Sequence, residues 1–376
     1  MDAYFGDLRA VCFEKWEQLD RALAAAGIEV IVANDLPSVR YLTGYLPYLT
    51  LSPPQGQIAV YFRGRGRPLL YVPRYYANFA RVRFPWLEVR ELPHGIPAVA
   101  AELARILKAS GLTGTQLGCI GLTAELDRAL RHGCPDNGIT EVGMLLARVR
   151  AVKTPGEIAL LRDAVRIAEA GMNAAMSSLA AGKSECDVAA DAEHCMRRLG
   201  TESHAIVLRG RNAAILQEVS TEDVFTSEDL ALVDLGCYRR GYRAEYARTV
   251  AIRRPARGRH RRLVEVVSRA LDEAASLLVP GGSCGVVARR AAEVLHDAGY
   301  AEYMHPYPVG HGLGVSGSEH PLLTPASDVA LEEHMVINLE PGIFIPSEDI
   351  GIRIEDVWLV RHDGPERLTT SVPHLG

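Results

Sequence analysis

Hydrophobic and polar positions follow two different periods along the first part of the chain. The segments KWEQLDRALAAAG and AVAAELARILKASG repeat apolar residues at helical spacing, which predicts amphipathic helices. The shorter apolar segments IEVIVAN, QIAVYF, PLLYV and QLGCIGL predict buried strands. Because helices and strands alternate, we predict an α/β domain over residues 1–150.

A helix start marks the boundary of a second domain. In the segment VKTPGEIALLRDAVRIAEAGM, Thr154 is a candidate N-cap and Pro155 fits the first helical position. Glu157, three residues after the threonine, completes a capping box. Apolar residues between positions 158 and 172 recur at helical spacing, so we predict a long amphipathic helix that opens a domain over residues 151–376.

The second domain combines helices with strands that do not follow a regular βαβ order. Helices are predicted at DVAADAEHCMRRLG, RLVEVVSRALDEAASLL and GVVARRAAEVLHDAG. Strands are predicted at HMVINLEPGIFI, at IGIRIEDVWLV and in a hairpin at VDLGCYRRGYRAEYARTV. Helix pairs between strands favour a curved, mainly antiparallel sheet, so the fold class of the whole chain is predicted as α+β.

Composition excludes several classes of protein. The chain has 376 residues and a formal net charge of -5, which gives no general attraction for nucleic acid. The arginine-rich segments RGRGR and RRPARGRHRR are predicted to be solvated connections. We find no signal-peptide pattern and no apolar run of membrane-spanning length, so we expect a cytoplasmic protein without a membrane partner. The seven cysteines lack C-x-x-C spacing and are predicted to be reduced.

The predicted hairpin carries an acidic residue on each of its strands. If Arg239 and Arg240 form the turn, the register places Asp234 directly opposite Glu245. Like charges at directly opposed positions destabilise a sheet unless something lies between them, and a divalent cation is the simplest candidate. Arg-Arg is a poor two-residue turn and a longer loop would shift the register, so two solvated carboxylates remain the alternative.

Three further segments carry residues that can bind metal. VGHGLG places His311 between glycines, and NLEPG places Glu340 at the end of an apolar strand. GIRIED places Arg353 and Glu355 on one strand face. Taken alone, Glu340 is more typical of a strand end and Glu355 of a solvated strand face, whereas His311 is as typical of a loop residue as of a ligand. Together with the hairpin they form an oxygen-rich set with one imidazole, which suits two divalent ions such as Mn²⁺, Co²⁺ or Zn²⁺ that activate water.

These motifs resemble the creatinase, aminopeptidase P, prolidase and methionine aminopeptidase family, whose catalytic domain has the pita-bread fold. The matching segments are RAVKTPGEIALLRDA, VDLG followed by GYRAEYARTV, GHGLG, NLEPGIF, GIRIEDVWLV and RLTT. The first part of the chain, with DLPSVRYLTGY, is similar to the N-terminal domain of the creatinase and prolidase branch. The resemblance implies a creatinase-like domain over 1–150, a pita-bread metallohydrolase domain over 151–376, and a homodimer.

The resemblance also implies the ligands and the reaction. The five metal ligands of the family fall on Asp234, Glu245, His311, Glu340 and Glu355. They imply two divalent ions, with Mn, Co, Zn and Fe as candidates. The residue matching Glu340 also handles the proton of the bridging water in the family mechanism, and Arg353 is expected to orient carboxylates. The expected reaction is hydrolysis of an amide bond in a short peptide, such as one with proline after the scissile bond, or in a small amino-acid derivative.

Two of the ligand-region positions differ from the family pattern. The family has Asp where this chain has Glu245, so the side chain here is one methylene longer. Family peptidases also carry a histidine seventeen residues before the first metal ligand, where this chain has Gln217. Glutamine cannot serve as a general acid or base near neutral pH, so Gln217 is expected to contact substrate only.

Two more family histidines are displaced. The histidine four residues before the ligand His311 is replaced by Tyr307, which we expect to contact substrate, and His305 nearby is a candidate replacement. The histidine seven residues after the ligand is replaced by Ser318. His320 is the candidate replacement there if VSGSEHP contains a two-residue insertion. His305 and His320 are therefore predicted catalytic residues.

These departures keep the expected ligands and change the side chains expected to face the substrate. Two alternatives therefore stay open beside peptide hydrolysis. One is a metal-dependent lyase or a specialised hydrolase acting on a non-peptide acid, and the other is a non-catalytic binding module on the same fold. Reaction products distinguish hydrolysis from elimination, and metal content distinguishes both from the binding module.

Overall fold

The computed structural model describes most of the chain in two compact units, Met1–Arg150 and Ala151–Gly376. The described residues are 3–46, 57–92, 95–209, 213–214, 219–228, 230–252, 258–305 and 308–370. Within them, no helix is both long and apolar enough to cross a membrane. The seven cysteines form no disulfide in this structure.

The unit Met1–Arg150 is built on one six-stranded sheet. Its strands are β1 (Val30–Ala33), β2 (Ile58–Phe62), β3 (Leu69–Val72), β4 (Glu88–Glu91), β5 (Gln116–Ile120) and β6 (Gly138–Glu141). Its helices are α1 (Ala3–Ala26), α2 (Leu36–Thr43), α3 (Arg74–Arg83), α4 (Ile96–Ala109), α5 (Ala124–Gly133) and α6 (Gly143–Ala151).

This first sheet has the order β4-β3-β2-β1-β5-β6 and mixes both strand directions. The β1–β2 and β2–β3 pairs are antiparallel, whereas the β3–β4, β1–β5 and β5–β6 pairs are parallel. Leu103 of α4 and Leu130 of α5 share one buried core with Val32 and Val60 of the central strands. Helices packed on a largely buried sheet confirm the predicted α/β architecture of this part of the chain.

The unit Ala151–Gly376 contains the remaining elements. Its helices are α7 (Pro155–Ser178), α8 (Glu185–Arg198), α9 (Gly258–Ala275) and α10 (Cys284–Asp297). Its strands are β7 (Ser203–Arg209), β8 (Leu230–Arg239), β9 (Tyr242–Ala251), β10 (Gly310–Gly312), β11 (Glu319–Leu323), β12 (Val336–Leu339), β13 (Gly342–Ile345), β14 (Ile350–Arg353), β15 (Asp356–Leu359) and β16 (Glu366–Arg367).

The strands of this second unit pair in three groups, β7-β8-β9, β11-β10-β12-β15-β16 and β13-β14. Every strand pair described in this unit is antiparallel, which confirms that part of the prediction. Val267 of α9 and Leu295 of α10 share an apolar core with Ile337 of β12 and Ile352 of β14. This core fixes the strands that end at the candidate site.

Helix α7 begins with the predicted capping box. The Thr154 hydroxyl accepts a hydrogen bond from Glu157 N at 3.3 Å, and Glu157 Oε2 accepts one from Thr154 N at 3.0 Å. Pro155 occupies the first helical position, as predicted. Glu157 also accepts a hydrogen bond from the Tyr242 hydroxyl at 2.9 Å, so the helix start is fixed to β9.

We expect Thr154→Ala to lower the free energy of unfolding by about 1 kcal/mol, because an N-cap hydroxyl satisfies an otherwise unpaired helix N–H. Urea denaturation followed by circular dichroism measures this change. Ser177→Ala is the matched control, because Ser177 is exposed near the other end of the same helix. The control is expected to stay within about 0.5 kcal/mol of the parent protein. Equal stability of both variants would contradict the role of the cap.

The hairpin formed by β8 and β9 has a different register from the predicted one. Arg239 pairs with Tyr242, so the two-residue loop is Arg240–Gly241 rather than Arg239–Arg240. Both loop residues have positive φ, 51° for Arg240 and 79° for Gly241, as the favoured two-residue hairpin turns require. The glycine at the second position explains why the turn forms there.

The register corrects one prediction about the acidic residues. Asp234 pairs with Ala247, and Glu245 pairs with Gly236, so the prediction that the two carboxylates are directly opposed was wrong. The shift amounts to two residues along one strand, which preserves the face on which each side chain lies. Asp234 and Glu245 are therefore diagonal neighbours on one face of the hairpin.

Candidate metal centre

The structure links four of the predicted ligands by direct contacts. His311 Nε2 lies 3.4 Å from Glu245 Oε1 and 3.6 Å from Glu340 Oε1. Arg353 Nη1 donates to Asp234 Oδ2 at 2.7 Å, and Arg353 Nη2 lies 3.4 Å from Glu340 Oε2. Two hairpin strands, β10, the end of β12 and the end of β14 thus contribute to one cluster.

Backbone geometry orients the His311 imidazole towards the carboxylates. Nδ1 lies 3.0 Å from the carbonyl oxygen of Gly312. Because a carbonyl only accepts hydrogen bonds, this contact places a ring proton on Nδ1 and turns Nε2 towards Glu245 and Glu340. A neutral imidazole with this arrangement is the form that binds a metal ion.

Glu355 is the most deeply buried carboxylate of the cluster. Its side chain is 2% exposed, and Asn338 Nδ2 donates a hydrogen bond to Glu355 Oε1 at 2.5 Å. Burial, reinforced by the negative charges of Asp234 and Glu340, raises the pKa of Glu355 well above its usual range. The charged form of Glu355 is therefore disfavoured by burial and by the neighbouring carboxylates.

The electrostatic environments of Glu340 and Arg353 complement each other. Burial raises the pKa of Glu340, and the nearby Arg353 partly counteracts this effect. Burial alone would lower the pKa of Arg353, but the charges of Asp234 and Glu340 outweigh burial and raise it. Arg353 therefore stays charged and holds two of the predicted ligands.

Two residues that contact the predicted ligands were missed in the sequence. Arg243 contacts Glu245 Oε2 through Nε at 2.6 Å and through Nη2 at 2.5 Å. Its position two residues before Glu245 on a strand was the available signal, because such residues share a face. Asn338 is the other residue, and its position opposite His311 depends on the β10–β12 register, which a single sequence does not contain.

A buried polar network contacts the backbone of Glu355. Asp356, 0% exposed, accepts hydrogen bonds from Arg248 Nη2 at 2.6 Å and Arg367 Nη2 at 2.6 Å. Asp356 also accepts one from the Thr369 hydroxyl at 2.5 Å. Arg248 Nη1 donates to the carbonyl oxygen of Glu355 at 2.7 Å. The network therefore fixes the backbone that carries the Glu355 carboxylate.

The remaining predicted site residues have different outcomes. His305 Nε2 lies 2.5 Å from Arg353 Nη2, and its ring packs edge-on against Phe344, so His305 reaches the cluster through Arg353. His320 lies half-buried in β11, beside a register irregularity between β10 and β11. Gln217 and Tyr307 lie outside the described residues.

The five predicted ligands have the donor chemistry that a divalent ion requires, although two of them contact arginine side chains in this structure. In the part of the chain that the structure describes, no group of three or more His, Cys, Asp or Glu side chains is arranged to hold a metal. Asp234 and Glu245 instead direct oxygens to Arg353 and Arg243. Carboxylates still outnumber these guanidinium groups by two, and an excess of negative charge beside one imidazole nitrogen suits a divalent cation.

The fold and the acidic and histidine positions together point to a metallopeptidase family. The sequence matches the model of metallopeptidase family M24 over residues 159–362 and that of the creatinase/prolidase N-terminal domain over residues 15–152. The chain belongs to metallopeptidase family M24, which confirms the predicted family resemblance and the pita-bread fold class.

Individual relatives agree with this assignment. The chain is 33% identical over 230 residues to an Xaa-Pro dipeptidase of Pyrococcus furiosus. The aligned region covers 60% of this chain and 65% of that relative, just under two thirds of its length. Its fold is similar to that of an Xaa-Pro dipeptidase from Bacillus anthracis, with a TM-score of 0.82, 26% identity and coverage of 96% and 99% of the two chains. A prolidase from Pyrococcus furiosus has a TM-score of 0.78, 26% identity and coverage of 94% and 99%.

Proposed function

We propose that this protein is a metal-dependent hydrolase that cleaves the amide bond before proline in Xaa-Pro dipeptides or in closely related small amides. The observation that carries the proposal is the cluster of one imidazole and acidic side chains within the matched M24 region. The names of the relatives, Xaa-Pro dipeptidase and prolidase, support the substrate class.

We assign the metal ligands to Asp234, Glu245, His311, Glu340 and Glu355. Two divalent ions, with Mn, Co, Zn or Fe as candidates, are the proposed cofactors. Such ions lower the pKa of a water molecule and polarise the scissile carbonyl. The carboxylates and the His311 imidazole would hold them, and the Asn338 amide fixes one oxygen of Glu355.

Protein side chains carry the proposed proton transfers and orientation. Glu340 accepts the proton of the attacking water and delivers it to the leaving amine, because it lies at the end of β12 next to His311 and Arg353. Arg353 orients Asp234 and Glu340 through its two terminal nitrogens. His305, in contact with Arg353, is proposed to act on the substrate side of the site.

Three further assignments rest on the sequence. His320 is proposed as a second histidine that replaces a displaced family histidine, and Gln217 and Tyr307 are proposed substrate contacts. We propose a homodimer in the cytoplasm, with domains over residues 1–150 and 151–376. The substrate is proposed to be a short peptide or small molecule, with no role for nucleic acid or membrane.

The test compares an Xaa-Pro dipeptide with the Pro-Xaa dipeptide of the same two residues. After incubation with Mn²⁺, Co²⁺ or Zn²⁺, we expect release of both free amino acids from the Xaa-Pro dipeptide and none from the Pro-Xaa dipeptide. The two dipeptides contain the same residues in opposite order, so the comparison isolates the position of proline. A chelator should remove this activity, and metal should restore it. An alkene among the products of other substrates would favour a lyase. Absence of bound metal would contradict the proposal and favour the binding module.

A further inference from the structure

A cavity with a basic lining belongs entirely to the unit Met1–Arg150. Its volume is about 360 Å³, at the lower end of the roughly 300–1,000 Å³ that is usual for small-molecule sites. The polar part of its lining consists of Arg65, Arg67, Arg90 and Glu88. Three guanidinium groups and one carboxylate give this lining a formal charge of +2, although the whole chain carries -5.

The apolar part of the lining comes from the face of the first sheet on which α4 packs. Phe62 of β2 and Leu69 of β3 share the buried core of this unit with residues of α4. Ile106 of α4 is partly buried against the same core and completes the apolar lining. Because Leu69 pairs with Glu88 of β4, the same face continues into the polar lining. The cavity therefore has an apolar wall beside a basic one.

The loop between β2 and β3 supplies two arginines whose charges are not paired. This loop lies in the RGRGR segment that was predicted to be a solvated connection. Its first arginine, Arg63, pairs with Glu29. Among the described residues, Arg65 and Arg67 form no ion pair. Arg65 Cζ lies 4.6 Å from the centroid of the Phe62 ring, a contact that leaves the guanidinium N–H groups available to an anion.

Backbone contacts fix the loop that carries these two arginines. Arg65 N donates to the carbonyl oxygen of Phe62 at 3.1 Å, and Gly64 N donates to Asp20 Oδ1 at 3.1 Å. Gly64 and Gly66 have φ values of 74° and 58°, which glycine adopts without strain. The backbone is therefore ordered before a ligand binds, which lowers the entropy cost of binding.

Arg90 is the third guanidinium of the lining, and two carboxylates hold it. Arg90 Nε donates to Glu88 Oε1 at 3.0 Å, and Arg90 Nη1 pairs with Glu102 of α4. Even with Glu102 counted, three guanidinium groups face two carboxylates, which leaves a formal charge of +1. Like charges gathered at one cavity repel one another, and an anion bound among them offsets this repulsion.

We propose that this cavity binds a small organic anion, with its carboxylate or phosphate head on Arg65 and Arg67. Guanidinium groups bind both kinds of head group through paired N–H donors. The apolar body of the ligand lies against the wall formed by Leu69 and Ile106, which offers no hydrogen bonds. This binding site goes beyond the proposed hydrolase activity and does not depend on it.

The test is a ligand-observed NMR titration of the full chain with naphthylacetate and with naphthyl phosphate. The two probes carry the two head groups on the same apolar body, so the tighter one identifies the preferred head group. We expect a Kd of about 1 mM or tighter for that probe, as is usual for ligands of this size. The neutral naphthylacetamide and inorganic phosphate should each bind at least about tenfold more weakly, because each lacks one half of the recognition.

The double variant Arg65→Gln/Arg67→Gln is expected to weaken binding of the preferred probe at least about tenfold, because it removes the charged donors. Arg74→Gln/Arg81→Gln is the matched control. Arg74 and Arg81 lie beside Glu91 in the same unit and do not line the cavity, so the Kd should stay unchanged. If Arg65→Gln/Arg67→Gln fails to fold, Arg67→Glu decides by the same criterion.

Four results would overturn the inference. They are no binding of either naphthyl probe, equal affinity for the neutral amide or inorganic phosphate, an unchanged Kd in folded Arg65→Gln/Arg67→Gln, and an equal loss of affinity in the control variant. The last result would show that the overall charge of the surface, rather than the cavity, attracts the anion. None of these results bears on the proposed hydrolase, which is tested by its own dipeptide assay.

Discussion

Glu340→Gln is expected to lower kcat by about a hundredfold to ten-thousandfold while the protein stays folded. The substitution keeps the size of the side chain but removes the group that we propose accepts and returns a proton, a loss worth about 10² to 10⁴ in rate for a general acid–base. It also removes one negative charge that faces His311 Nε2 and Arg353 Nη2. The backbone bond from Glu340 N to the carbonyl oxygen of Val309 is unaffected, so the strand end keeps its position.

Steady-state kinetics on an Xaa-Pro dipeptide, together with thermal unfolding, checks this prediction. Glu348→Gln is the control. Glu348 pairs with Arg259 on the surface, so this substitution removes one negative charge away from the cluster. The control should keep the kcat of the parent protein. Near-parent turnover by Glu340→Gln would show that Glu340 does not handle the proton.

The fold was largely predictable because its signals are local. The capping box at Thr154 and Glu157 is contained in four consecutive residues, and it formed as predicted. The apolar strands and amphipathic helices likewise depend on periodicity within one segment. The hairpin shows the limit of such signals, since the position of Gly241 selected the turn and shifted the register by two residues.

The cluster was predictable in composition but not in contacts. Asp234 and Glu245 share a face under either register, so the shift did not separate them. The pairing of His311 with Asn338 depends on which strands lie side by side, and no local pattern specifies that neighbour. Arg243 was visible in the sequence, but its contact with Glu245 depends on space beside Gly317, seventy-odd positions later in the chain.

Asp356→Asn is expected to lower the free energy of unfolding by about 3–5 kcal/mol, the usual cost of leaving a buried charge without its partner. Asp356 and Arg248 are 0% and 2% exposed, so water cannot replace the lost carboxylate. The new amide also presents an N–H₂ group to donors at one of the two oxygen positions.

The same substitution is expected to weaken metal binding as well as stability, because Arg248 links Asp356 to the backbone of Glu355. Arg248 joins Asp356 to the carbonyl oxygen of Glu355, so loss of the ion pair frees the backbone that carries a proposed ligand. Urea denaturation and Mn²⁺ titration measure the two effects on one preparation. Asp363→Asn is the control, since its pair with Arg361 is exposed to solvent and is expected to contribute little to stability. A loss of stability below about 1 kcal/mol in Asp356→Asn would mean that Arg248 finds another partner. An unchanged Mn²⁺ affinity would show that the Asp356 network does not influence metal binding.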